Sequence, residues 1–196
     1  MKFVLASGNA HKLQEISAAL PGDIEVIPQT DFGVSEADET GLSFIENALI
    51  KARHASLATG LPALADDSGL CVDSLGGEPG IYSARFAGTD ASDSDNVSLL
   101  LERLIDEDNR RATFVCVLAC VSHATDPLPL IAEGHWQGSI ARHLRGEGGF
   151  GYDPVFIVGN STRTAAELPA SEKNAISHRG LALRKMASLI REQHPA

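Results

Sequence analysis

The chain has 196 residues, of which 43% are hydrophobic and 21% are charged, a size and balance typical of one globular domain and not of a disordered protein. The formal net charge of −10 argues against a partner such as nucleic acid, and no apolar run approaches the length of about 18 residues that a membrane span needs. We expect a cytoplasmic protein, because the N-terminus does not resemble a signal peptide and the three cysteines have no metal-site or disulfide spacing.

The first half of the chain alternates between predicted strands and helices. Short apolar runs predict three strands, over residues 2–6, 24–27 and 63–65. Helical spacing of apolar residues predicts a helix that ends before Pro21, and Ser43 with Glu46 resembles a capping box that opens a helix ending near Thr59. The polar segment 66–69, Asp-Asp-Ser-Gly, is expected to end the third strand.

Neighbouring strands dominate the second half. Val97, Leu100 and Leu104 predict a helix, since they recur at helical spacing. Further strands are predicted over residues 113–122, 130–140 and 155–158, and a last helix over 177–193. This order predicts an α/β protein with a mixed sheet.

The polar segment Ser7-Gly8-Asn9-Ala10-His11-Lys12 joins the first strand to the first helix. Backbone N–H groups at a helix N-terminus attract anions, and Ser7 and Asn9 either donate to phosphate oxygens or simply cap the helix. Lys12 lies in the first turn, where the helix dipole disfavours a cation, so a bound anion would explain it better. The segment therefore predicts a phosphate site, with an ordinary helix cap as the alternative.

Two adjacent acids, Asp66 and Asp67, follow a buried strand, where unpaired carboxylates are costly. Neighbouring strand residues point to opposite faces, so we expect only one of the two to reach a given site. Carboxylate oxygens suit Mg²⁺, and Glu39, or less readily Asp38, could supply a second acid from the loop over 28–41. The alternative is a turn capped by Asp and Ser.

The predicted helix over 43–59 carries a polar stripe, Ser43, Asn47 and Lys51, at positions i, i+4 and i+8. Such a stripe faces either a ligand or simply water. A second polar group, Lys173, His178 and Arg179, lies near the start of the last helix, where cations oppose the helix dipole. It predicts donors for a ligand, with a solvated basic helix end as the alternative.

Residues 146–151, Gly-Glu-Gly-Gly-Phe-Gly, match the pattern GxGxxG. A dinucleotide-binding fold is nevertheless rejected, because a strand follows the motif where that fold requires a helix. The glycines let the backbone approach a ligand closely, Phe150 could stack on a base, and Asp153 adds a carboxylate. The alternative is a tight turn with the Phe150 ring in the core.

Six segments together resemble the inosine triphosphate pyrophosphatase family, which hydrolyses XTP and dITP. They run in family order over essentially the whole chain: Ser7-Gly8-Asn9-x-x-Lys12; Glu39-Thr40-Gly41 with Phe44-x-Glu46-Asn47-Ala48-x-x-Lys51-Ala52; Ala65-Asp66-Asp67-Ser68-Gly69-Leu70; Gly76-Gly77-x-Pro79-Gly80-Ile81-Tyr82-Ser83-Ala84-Arg85; Gly148-Gly149-Phe150-Gly151-Tyr152-Asp153-Pro154; and Ser177-His178-Arg179-Gly180. Ser7 stands where the family often has Thr, and His11 where a small residue is common; neither change removes a donor.

The resemblance implies an elongated α/β fold, with a mixed central sheet flanked by helices and two lobes around an active-site cleft, in a homodimer. It implies one nucleoside-triphosphate pyrophosphatase domain over 1–196. This domain would cleave non-standard purine nucleoside triphosphates (dITP, ITP, XTP and dXTP) to the monophosphate and pyrophosphate with Mg²⁺, and would need neither nucleic acid nor a membrane as partner.

The resemblance also assigns roles to single residues. Asp67 would be the catalytic proton acceptor, and Asp67 and Glu39 would bind the metal. The phosphates would be held by Ser7, Gly8, Asn9, Ala10, His11, Lys12 and Lys51. The nucleoside would be held by Ser68, Phe150, Gly151, Tyr152, Asp153, Lys173, His178 and Arg179. A donor from His178 or Arg179 facing the C6 keto oxygen would accept hypoxanthine or xanthine and oppose the amino group of adenine.

Two other functions stay open at this point. A regulatory protein that binds nucleotides without turnover would not need Asp67 and Glu39. A Maf-like pyrophosphatase acting on modified pyrimidines shares the early S-x-N-x-x-K pattern but should lack the segment Ser177-His178-Arg179.

Overall fold

The computed structural model describes residues 1–20, 22 and 24–193. Its strands are β1 (Lys2–Ala6), β2 (Glu25–Pro28), β3 (Ala63–Val72), β4 (Arg111–Val121), β5 (Leu130–Ile140) and β6 (Phe156–Val158). Together they form one six-stranded sheet in the order β2-β1-β3-β4-β5-β6. The strand β1 pairs in parallel with β2 and β3, whereas β5 and β6 pair antiparallel, so the predicted mixed sheet is confirmed.

Five α-helices belong to the described part of the chain: α1 (Ala10–Ala19), α2 (Phe44–Thr59), α3 (Asp93–Arg103), α4 (Ala170–Ile176) and α5 (His178–Gln193). The predicted cap of α2 is confirmed, since the Ser43 side chain accepts a hydrogen bond from the Glu46 backbone N–H. Across residues 1–20, 22 and 24–193, no helix has both the length and the apolar character needed to cross a membrane.

The strand β3 is longer than the sequence predicts. Residues 66–69 continue the strand, so the expected break there is wrong. Asp66 and Asp67 are both buried and remain in the extended strand because cations meet both carboxylates. Ala65 pairs with Ala6, the last residue of β1. Asp66 and Asp67 therefore lie just beyond the end of the neighbouring strand.

The helix α4 is absent from the sequence-based prediction, which places the polar group of Lys173, His178 and Arg179 at the start of one last helix. The structure instead begins a separate short helix after Pro169 and breaks the chain at Ser177. Lys173 therefore belongs to α4, whereas His178 and Arg179 open α5.

The chain divides into two compact units. Unit 1 comprises Met1–Asp67, Cys116–Gly134 and Arg179–Ala196, and unit 2 comprises Ser68–Val115 and His135–His178. The core of unit 1 includes Phe3, Leu5, Ile16, Leu64, Leu118, Leu183, Met186 and Ile190. The core of unit 2 includes Leu70, Val97, Leu100, Phe114, Trp136, Ile140, Val155 and Phe156. Each unit therefore has its own hydrophobic core.

The three cysteines have free thiols and pack as small apolar side chains. Cys116 and Cys120 are buried in the core of unit 1, and Cys71 is half-buried in β3. Burial raises the pKa of the Cys116 and Cys120 thiols to about 12, so both stay protonated and unreactive at neutral pH.

Candidate active site

The start of α1 in unit 1 is capped by its own polar residues. The Asn9 side chain accepts a hydrogen bond from the Lys12 backbone N–H at 3.1 Å, and Ser7 Oγ accepts one from the Asn9 N–H at 3.3 Å. The Gly8 N–H donates to Glu36 Oε1 at 3.1 Å, so a carboxylate already lies at this helix end. Ala10 and His11 contribute helical backbone, and their side chains fall outside the described part.

Asp66 is the counter-ion of two cations in unit 1. Its Oδ2 lies 3.0 Å from Lys12 Nζ and 3.8 Å from Arg179 Nη2, and Arg179 also pairs with Glu15. Burial alone would raise the pKa of Asp66, but Lys12, Arg179 and Lys51 outweigh it and hold that pKa well below its usual range. The cation that opposes the α1 dipole thus has a buried protein carboxylate as its partner.

Lys51 joins the two acids predicted to bind metal. Its Nζ donates to Glu39 Oε1 at 2.7 Å and to Asp67 Oδ1 at 2.8 Å. Burial raises the pKa of Asp67 and Lys51 only partly offsets this, which favours a proton acceptor more basic than an ordinary aspartate. The second oxygen, Asp67 Oδ2, is buried and has no hydrogen-bond partner among the described residues. This oxygen is available to coordinate a metal ion or to accept a hydrogen bond from water.

The neighbouring acids have different partners, as the strand periodicity predicts. Asp66 pairs with Lys12 and Arg179, whereas Asp67 hydrogen bonds to Lys51. Asp66 thereby holds two cations, and one oxygen of Asp67 has no hydrogen-bond partner in the part of the chain that the structure describes.

In unit 2 the glycine-rich turn is built around Asp153. Its Oδ2 accepts hydrogen bonds from the Phe150 backbone N–H at 2.9 Å and from Lys173 Nζ at 2.7 Å. Lys173 Nζ also lies 5.1 Å from the centroid of the Phe150 ring. A Cβ at Gly149 would come within 2.0 Å of Asp153 Oδ2, and its φ is 75°, so this position requires glycine. The half-buried Phe150 ring lies beside Lys173.

Tyr152 belongs to the core of unit 2. Its hydroxyl donates to the Ser83 carbonyl at 2.8 Å, and burial, with the nearby Asp93, raises its pKa. The Gly151 N–H donates to Asp93 Oδ2 at 2.7 Å, and Ser68 is half-buried in β3. The Tyr152 side chain therefore has a structural role, and its contact with the substrate stays a prediction.

His178 and Arg179 are adjacent in sequence but have different surroundings. The buried His178 ring stacks on the Phe114 ring, with centroids 4.7 Å apart and an interplanar angle of 8°. Its centroid lies 6.2 Å from that of the Trp136 ring. The Arg179 guanidinium pairs with Glu15 and approaches Asp66. Uncharged aromatic rings surround His178, which suits a hydrogen-bond donor to a nucleobase. Carboxylates surround the Arg179 guanidinium.

Several contacts at these clusters are absent from the sequence-based prediction. The contacts of Asp66 and Glu36 are long-range, so no spacing rule reveals them, and the polar stripe that includes Asn47 does not predict its hydrogen bond from the Gly41 N–H. Glu15 pairs with Arg179, near the other end of the chain, so its role has no local signal either.

Fold and contacts together define an α/β protein with linked carboxylate, lysine and arginine side chains in unit 1 and an aromatic, ion-paired cluster in unit 2. The Ham1 family model matches residues 3–189. The dITP/XTP pyrophosphatases of Shigella flexneri and Escherichia coli K12 are 55% and 54% identical over 193 residues, covering 97% of this chain and 98% of each relative.

Solved structures agree. A HAM1 protein from Coxiella burnetii is 51% identical with a TM-score of 0.92, covering 98% of this chain and 99% of that one. A nucleoside-triphosphatase / dITP/XTP pyrophosphatase from Mycobacterium abscessus is 46% identical with a TM-score of 0.77, covering 97% and 99%. The chain belongs to the Ham1 family, and the predicted resemblance and fold class are confirmed.

Proposed function

We propose that this chain is a nucleoside-triphosphate pyrophosphatase that cleaves dITP, ITP, XTP and dXTP to the monophosphate and pyrophosphate. The observation that carries the proposal is the Asp67 carboxylate, buried beside Lys51 with one oxygen atom left without a hydrogen bond among the described residues. Relatives with 54–55% identity over nearly the full length bear the name dITP/XTP pyrophosphatase, which supports the same substrates here.

The donor set fits Mg²⁺. Asp67 and Glu39 offer carboxylate oxygens, the ligands that Mg²⁺ prefers, and both contact the same Lys51 ammonium. Among the described residues no three His, Cys, Asp or Glu side chains form a metal-binding group. Two acids are nevertheless enough for Mg²⁺, which keeps several waters and shares substrate phosphate oxygens. When bound, the metal would neutralise charge on the phosphates and polarise them.

The chain's own residues then divide the chemistry. Asp67 accepts the proton of the attacking water, a role favoured by its raised pKa. The water oxygen forms the new bond to phosphorus as the α–β anhydride bond breaks, and pyrophosphate leaves. Lys12 and Lys51 balance the phosphate charge, and the segment of Ser7, Gly8, Asn9, Ala10 and His11 holds phosphate oxygens, which replace the Glu36 carboxylate at the Gly8 N–H.

Residues of unit 2 hold the nucleoside in this proposal: Ser68, Phe150, Gly151, Tyr152, Asp153, Lys173 and His178. Phe150 offers a ring for stacking, and Lys173 with Asp153 keeps that turn in place. A hydrogen bond from His178 to the C6 keto oxygen would favour hypoxanthine and xanthine over adenine. Arg179 is the second candidate for this donor, although its guanidinium pairs with carboxylates.

We also propose that residues 1–196 act as one catalytic domain, that the enzyme is a homodimer, and that it works in the cytoplasm. The free thiols of Cys71, Cys116 and Cys120 support a reducing compartment.

Product analysis tests the reaction. Incubation of dITP with the enzyme and Mg²⁺, followed by phosphorus NMR, should show dIMP and pyrophosphate in equal amounts, and a chelator should abolish turnover. Release of orthophosphate with dIDP would contradict the proposal, because it would place the cleavage at the terminal phosphate.

A further inference from the structure

Asn47 in α2 is a fully buried polar residue of unit 1 without an assigned role. Its Oδ1 accepts a hydrogen bond from the Gly41 backbone N–H at 2.8 Å. Its Nδ2 is buried and has no acceptor among the described residues. Because an unmatched buried donor is unfavourable for folding, stability alone does not explain an amide at this position.

The segment that Asn47 holds passes very close to α2. A Cβ at Gly41 would lie 2.6 Å from Glu46 Cβ and 2.7 Å from Asn47 Oδ1, so only glycine fits there. This close approach and the hydrogen bond to Asn47 fix the backbone at Gly41 against the helix.

The fixed backbone lies two residues from an acid of the candidate metal site. Glu39 Oε1 accepts a hydrogen bond from Lys51 Nζ, and Lys51 lies one helical turn after Asn47 on the same face of α2. The same helix face thus holds the loop at Gly41 through Asn47 and holds the Glu39 carboxylate through Lys51.

We propose that Asn47 is a positioning residue: by holding the Gly41 N–H it keeps the Glu39 carboxylate beside Lys51 and Asp67, ready for Mg²⁺. Asn47 touches neither substrate nor metal in this account. The inference rests on the proposed function, since it needs Glu39 to serve the metal.

The test compares four variants of the full chain: Asn47→Ala, Gly41→Ala, Glu39→Gln and the control Ser56→Ala. Ser56 is matched because it is also buried in α2 and also loses one hydrogen bond to backbone, in this case to the Leu61 carbonyl. Two quantities are measured: the Mg²⁺ concentration that gives half-maximal dITP cleavage, and direct Mn²⁺ binding from its paramagnetic resonance signal.

Asn47→Ala and Gly41→Ala should each raise the half-maximal Mg²⁺ concentration and weaken Mn²⁺ binding by about 10-fold or more, the usual effect of losing a residue that orients a metal ligand. Saturating Mg²⁺ should restore most of kcat, and Ser56→Ala should match the parent. If Glu39→Gln shifts the metal dependence and folded Asn47→Ala does not, the positioning role is wrong. If Asn47→Ala does not fold, Gly41→Ala decides in the same way. If Glu39→Gln leaves the metal dependence unchanged, the metal role of Glu39 fails and the inference with it.

Discussion

Unit 1 and unit 2 both bury carboxylates, but they compensate the charge in different ways. In unit 1 the adjacent acids pair with different cations, Asp66 with Lys12 and Asp67 with Lys51, and one Asp67 oxygen has no hydrogen bond among the described residues. In unit 2 Asp153 pairs with Lys173 beside the ring of Phe150 and also accepts the Phe150 backbone N–H. Charged side chains with one carboxylate oxygen left unsatisfied can exchange their protein partners for phosphate and metal. A buried ion pair beside an aromatic ring gives a fixed surface, which suits a neutral base.

Breaking the ion pair of Lys173 with Asp153 should have the largest effect, a loss of folding stability. Lys173→Met leaves the Asp153 carboxylate buried without its cation, so we expect the free energy of unfolding to fall by about 3–5 kcal/mol. Urea denaturation followed by circular dichroism measures this loss. Arg163→Met is the matched control, because the exposed pair of Arg163 with Glu172 contributes little. Equal free energies of unfolding for the Lys173 variant and the parent would show that this pair does not stabilise unit 2.

Asp67→Asn tests the acid of unit 1 that has one oxygen without a hydrogen bond among the described residues. The amide cannot accept the proton from water, so kcat for dITP should fall by at least about 10²-fold. Stability should change little, since Lys51 keeps Glu39 as a partner. Steady-state pyrophosphate release, with a thermal melt to confirm folding, makes the measurement. A folded variant with near-normal kcat would remove Asp67 from its catalytic role.

His178→Phe tests the role of unit 2 in base selection. The new ring keeps the stacking on Phe114 but removes the N–H donor. The ratio of kcat/KM for dITP to that for dATP should fall about 10-fold, the value of one hydrogen bond. Arg179→Lys should lower both values by the same factor, because its guanidinium pairs with Glu15 and Asp66. If only the Arg179 variant changes the ratio, Arg179 reads the base.

The smallest effect is expected at Asp126, a unit 1 carboxylate outside the charged cluster. Its oxygens accept hydrogen bonds from the Ser122 and Leu128 backbone N–H groups at 2.8 Å, which lower its pKa. The folded-state pKa lies below the unfolded value of about 4, so the stabilisation is present above that pH and is lost as pH falls through the lower value. Asp126→Asn should therefore cost about 1 kcal/mol at pH 7 and progressively less in acid.

Denaturant titrations of parent and Asp126→Asn at several pH values check this prediction. A stability difference that stays constant from neutral to acid pH would mean that the Asp126 charge does not contribute.

Local patterns predict the strands and caps of this fold well. The strands Lys2–Ala6 and Leu130–Ile140 can be predicted residue for residue, since apolar runs with clear ends define them. Residues 66–69 cannot, because their turn-like composition is overridden by tertiary ion pairs. The short helix Ala170–Ile176 lacks an apolar repeat, so its sequence does not reveal it.

The candidate site divides in the same way. The residue types of Lys12, Asp67 and Lys173 are visible in motifs, and the resemblance assigns them roles. Their partners are not visible, because a bond such as that between Lys12 and Asp66 joins residues far apart in the chain. The position of Lys12 at the start of a helix predicts a nearby anion, and in the structure the Asp66 carboxylate lies there.

The proposed division of labour, in which unit 1 contacts phosphate and metal and unit 2 reads the base, is tested most directly by comparing kcat/KM for pyrophosphate release from dITP, XTP, dATP and dGTP with Mg²⁺. We predict that dITP and XTP exceed dATP by at least about 10²-fold, since a polar site that reads the C6 keto group rejects the adenine amino group. Equal values for dITP and dATP would contradict the account, because they would show a site that binds triphosphate without reading the base.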